Sequence, residues 1–214
     1  MFYKFYESSE LDQIGEYPQY DYRVVVTRNP QLWHNRFVEV ADPIPIYELV
    51  KRAKGTDVLT TNSWFKDRGM IINGKVVSLI QTMKLPEFKL IPLFVYKYKS
   101  EELAGSYYYL NMVVPETLID FERTVFAIMD IFNTRLEEIK FVDEHELLAF
   151  GNSNLKLKVR PSKLVLNERY ADYDLFFVYY GFIEFIISEK MKLALEEAGI
   201  TGLDITECPE IQTK

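Results

Sequence analysis

The sequence predicts an α+β fold: mostly antiparallel sheet, with three or four short helices packed on it, in two related strand–helix–strand units. The first observation is residues 186–205. They read as an apolar strand, a Ser188 cap, a helix with Met191, Ala194, Leu195 and Ala198 on one face, a Gly199 stop and a second strand. The second is that residues 71–90 follow the same plan without a gap, 115 positions earlier. Ile71, Ile72, Asn73 and Lys75 stand where Ile186, Ile187, Ser188 and Lys190 stand, and Leu85, Phe88 and Leu90 match Ile200, Leu203 and Ile205. Either the unit is duplicated, or the two stretches share only what any such unit shares. The division expected is 1–100 and 101–214, at the charged connection 97–106 that ends in Gly-Ser. One core and two cores are both compatible with it.

Residues 2–6 are an aromatic strand, and residues 8–22 are a polar, tyrosine-rich loop punctuated by Gly15 and Pro18. Residues 22–27 (YRVVVT) form a β-branched strand ended by Asn29-Pro30, and residues 37–40 a further strand. Ile46, Leu49, Val50 and Ala53 share one face of a helix before Gly55. Residues 64–69 connect to the first unit. There Asn73 caps a helix, Pro86 forbids its continuation, and Pro92 makes the strand 88–96 an edge or a bulged one.

In the strand 107–114, Tyr107, Tyr109 and Asn111 face one way and Tyr108, Leu110 and Met112 the other. Residues 124–132 and 136–142 form a strand pair around Asn133-Thr134-Arg135, although the first segment also fits a helix. Asp143 and Glu146 form a capping box for a short helix stopped by Gly151. Leu155, Leu157 and Val159 alternate with Lys156, Lys158 and Arg160, and the strand resumes at 163–166 after Pro161. The aromatic run 174–180 reads as a strand buried on both faces.

The chain has 214 residues, enough for one large or two small cores, and a net charge of −7. That balance argues against a nucleic-acid binder working by phosphate neutralisation; it is compatible with a basic protein partner, although most acidic proteins have none. A single cysteine, Cys208, excludes an internal disulfide and a multi-cysteine zinc site and fits a reducing compartment. With no secretory leader pattern and no apolar run long enough to span a membrane, the expectation is a cytoplasmic protein.

The tail IISEKMKLALEEAGITGLDI resembles the closing "vSekl…aLe…g.tG.ef" motif of a family of bacterial immunity proteins from polymorphic toxin systems. Residues 107–122 (YYYLNMVVPETLIDFE) are similar to that family's central strand and following loop, with Glu116 where an Asp is usual and Asp120 at the second acidic position. Residues 69–93 are similar to an N-terminal motif of the same proteins, with Asn73 in place of Ser. The resemblance covers about two thirds of the chain in patches and leaves out 1–40. It implies a non-enzymatic protein that binds and neutralises a cognate toxin.

The residues give little chemistry of their own. His34 and His145 are too few for a three-histidine metal site and are read as structural or surface residues. Ser188 is explained as a cap, and Cys208 lies in an acidic tail that disfavours thiolate. Isolated glycines make no nucleotide loop, so neither a catalytic group, a metal nor a cofactor is assigned. Among the carboxylates, Asp120 stands out, with Glu122 beside it; it fixes a turn or centres an acid–base pair. Lys156, Lys158, Arg160 and Lys163 form a basic stripe that protects an exposed edge strand, or meets phosphate or an acidic patch on a partner. The most interface-like residues are Tyr17, Tyr20, Asp21 and Tyr22, next to Asp12 and Glu16: acids steer a basic partner, and rigid tyrosines supply contact area. The alternative for them is packing back on the core. Besides the immunity protein, the sequence allows a carboxylate-centred hydrolase around Asp120 or a scaffold that pairs with a second copy through strand edges.

Overall fold

The computed structural model describes residues 1–24, 46–60, 69–115, 118–154, 156–178 and 184–212. It is α+β. The first half contains β1 (Phe2–Glu7), α1 (Leu11–Ile14), β2 (Tyr20–Val24), β3 (Ile46–Leu49), β4 (Val58–Leu59), β5 (Gly69–Asn73), α2 (Gly74–Ile80) and β6 (Phe88–Tyr96). The second half contains β7 (Tyr107–Met112), β8 (Val125–Met129), β9 (Arg135–Ile139), α3 (Glu144–Ser153), β10 (Lys158–Val165), β11 (Leu175–Val178), β12 (Glu184–Ser188), α4 (Glu189–Glu197), β13 (Leu203–Glu207) and β14 (Ile211–Gln212). Three sheets result, in the orders β2-β3-β6-β7-β5-β4, β11-β12-β1-β13 and β14-β10-β8-β9. Only β3–β6 and β10–β14 are parallel pairs among the described strands.

The two strand–helix–strand units have one arrangement. In the first, β5 and β6 flank β7, each antiparallel to it, and β4 lies outside β5. In the second, β12 and β13 flank β1 in the same sense, and β11 lies outside β12. The register agrees residue by residue. Leu110 sits between Met70 and Leu90, and Phe5 sits between Phe185 and Ile205, which stand 115 positions after Met70 and Leu90. A one-residue slip would turn every buried side chain outward, so this agreement is demanding. The middle strands are exchanged: β1 opens the first half but completes the sheet of the second, and β7 opens the second half but completes the sheet of the first. Each unit therefore takes its middle strand from the other half of the chain.

The cores follow from this. Alternation in β7 sends Tyr107 and Tyr109 into a small core with Tyr20, Tyr47, Leu49, Leu59, Ile71 and Val95. Leu110 and Met112 go to the opposite face, into a large core drawn from both halves: Phe2 and Phe5 meet Met70, Ile72, Val76, Ile80, Phe176, Ile186, Met191 and Leu195. The helices α2 and α4 touch over it. Both have the predicted caps. The Asn73 side chain accepts from the Lys75 and Val76 amides, and Ser188 from the Met191 amide. Beyond α4, Gly199 at φ 59 donates to the Glu196 carbonyl and Ile200 to that of Leu195, a Schellman stop.

Several elements differ from expectation. The helix predicted at 46–53 is the strand β3. Its Tyr47 and Leu49 are buried at a spacing of two, and the sheet neighbours β2 and β6 override the helical pattern of Ile46 and Leu49. The loop 8–22 contains the single turn α1, closed by Gly15 at φ 82. Strand β6 is interior rather than an edge, but β3 pairs with it only at Phe94–Tyr96, so Pro92 falls where β7 alone is the described neighbour. Helix α3 runs through Gly151 and ends at Asn154, whose side chain donates to the Phe150 carbonyl. The strand expected at 37–40, the end of the one at 22–27, Asn29-Pro30, most of the connection 64–69, Glu116, Leu155 and residues 179–181 lie outside the described residues.

Candidate functional site

The tyrosine-rich stretch is held from inside by a residue the sequence reading passed over. Gln19 is fully buried; its amide donates to the Lys54 carbonyl (2.6 Å) and to Thr56 Oγ1 (2.8 Å), and its Oε1 accepts from the Thr60 amide (2.7 Å). Strand β2 follows at the sheet edge. Tyr20 is buried and meets the Tyr47 ring edge-on at 4.8 Å, so it belongs to the core and offers no surface. Asp21 is exposed, and of Tyr22 only the backbone, paired with Tyr47, is described. Tyr17 is 43% exposed and lines a cleft of about 320 Å³ with Tyr6, Glu7, Phe177, Glu184 and Phe185. The structure thus separates Tyr17 from Tyr20 and groups it with Tyr6. At this cleft Glu184 carries a buried oxygen without a hydrogen bond, but the Lys4 ammonium lies 3.2 Å from it and neutralises it.

Asp120 makes a turn. Its Oδ1 accepts from the Arg123 amide (3.1 Å), its backbone joins Val165 and Thr124, and the Arg123 guanidinium lies 3.8 Å from Oδ2. Glu122 is exposed, and neither residue lines the cleft. Asp143 caps α3 by accepting from the Glu146 amide (2.9 Å), while Glu146 reaches back to the Val142 amide (2.6 Å). His145 is exposed, and His34 lies outside the described residues. Among the described residues, no group of three or more His, Cys, Asp or Glu side chains is placed to hold a metal ion.

Two carboxylates that no motif announced, the buried Asp174 and the half-buried Asp57, tie elements together. Each precedes an outer strand, β4 or β11. Asp174 Oδ1 accepts from the Ser188 hydroxyl (2.8 Å), and Oδ2 from Lys190 (2.8 Å) and from the Lys84 amide (2.9 Å). Asp57 Oδ1 accepts from Asn73 (2.7 Å), and Oδ2 from the Thr201 amide (2.8 Å) and hydroxyl (2.9 Å), with Lys75 at 3.9 Å. The Ser188 hydroxyl is thereby spent on a carboxylate and a helix amide. Burial pushes the Cys208 thiol up to about 12, helped by its hydrogen bond to Glu210, so it has no thiolate to offer near neutral pH.

The surface is uneven. Residues 118–154 carry eight acidic against three basic side chains, in a chain whose net charge is −7. The same stretch exposes Ile131, Phe132, Leu136, Val142 and Leu148; Phe132 is 81% and Val142 82% exposed. The basic stripe lies on β10, with Lys158, Arg160 and Lys163 exposed. Strand β10 is interior to its sheet, although β14 pairs only with its last two residues. The chain matches no protein-family model and no curated protein.

Proposed function

We propose that this chain is a non-enzymatic immunity protein that binds and neutralises a cognate toxin domain in the cytoplasm of the bacterium that makes it. The observation that carries this reading is the resemblance of residues 186–205, with 69–93 and 107–122, to the motifs of that family. The geometry supports it by giving those motifs structural work. Ser188 and Asn73 cap helices, Gly199 stops one, and Asp120 fixes a turn. What the framework leaves over is a set of exposed apolar side chains in a chain of net charge −7, which is compatible with a basic protein partner.

The test is co-expression with the toxin domain encoded beside this chain's gene. A stable complex on pull-down, and survival of cells making both proteins, is the expected result. Absence of both a complex and protection refutes the reading.

A further inference from the structure

We draw no further inference here: the strongest candidate, the aromatic cleft at the end of β1 and the start of β12 bordered by Tyr6, Tyr17, Phe177, Glu184 and Phe185, has its Glu184 carboxylate neutralised by Lys4, and nothing in the structure shows what covers it.

Discussion

Asp57 and Asp174 hold opposite halves of the chain. Asp57 lies in the first half and takes the Thr201 amide of the second, beyond α4. Asp174 lies in the second half and takes the Lys84 amide of the first, beyond α2. Each also binds the cap residue of its own helix, Asn73 or Ser188. Hydrogen bonds to a charged acceptor are worth about 1.5–3 kcal/mol each before the cost of burying the charge is subtracted. We expect Asp174→Ala to destabilise by about 2–4 kcal/mol, and Asp57→Ala, at a more open site, by somewhat less. Urea denaturation followed by tyrosine fluorescence and by circular dichroism checks both values. The two probes should coincide, since each carboxylate ties the halves together.

Acid should expose the same clamp. Burial works against the charge on Asp174, but Lys190, the Lys84 amide and the Ser188 hydroxyl outweigh it and hold the carboxyl below its usual range. A depressed folded value makes the contribution complete above the unfolded value of about 3.9 and removes it as pH falls through the folded value. Asp174→Asn should therefore lose stability near neutrality and show a flatter decline than wild type below about pH 4. Tm measured from pH 2 to 7 gives the comparison.

Gly202 marks a close approach of the halves. Its φ is 83, and a Cβ there would lie 2.1 Å from the Val58 carbonyl oxygen and 2.5 Å from Thr56 Oγ1. Gly202→Ala should cost about 2–4 kcal/mol, since backbone must move as well as side chain. Gly74→Ala, where a Cβ meets nothing within 4 Å, should be neutral or stabilising by a few tenths of a kcal/mol. Thermal denaturation of the pair separates backbone conflict from a general intolerance of alanine.

Cys208 should be inert. It is buried, and its thiol is pushed up to about 12. A chromogenic thiol reagent at pH 8 should leave the native chain unlabelled for hours and label one equivalent in denaturant. Fast labelling of the native chain would mean that the turn before β14 opens.

The parts legible in the sequence are those whose signal is local. Ser188 and Asn73 announce their helices because a cap needs only the next three residues. The faces of β7 are legible because alternation is read along one strand. Strand β3 was misread because Ile46 and Leu49 fit a helix as well as a strand, and only the neighbours β2 and β6 decide. The burial of Tyr20 is not legible because composition does not reveal which face of β2 meets Tyr47. The exchange of β1 and β7 was illegible for a different reason. FYKFYE and YYYLNM share bulk and aromaticity but few identities, and the strands that receive β1 lie at the far end of the chain. The exposure of Ile131 and Phe132 escaped notice because they read as the end of an apolar strand until the turn at Asp130 set them outside it.

The central structural claim is that each half completes the other's sheet. Backbone nuclear Overhauser contacts of residues 2–7 test it most directly. The account predicts cross-strand contacts from Phe5 to both Phe185 and Ile205, and from Tyr3 to both Ile187 and Glu207. Contacts of residues 2–7 confined to strands of the first half would contradict it.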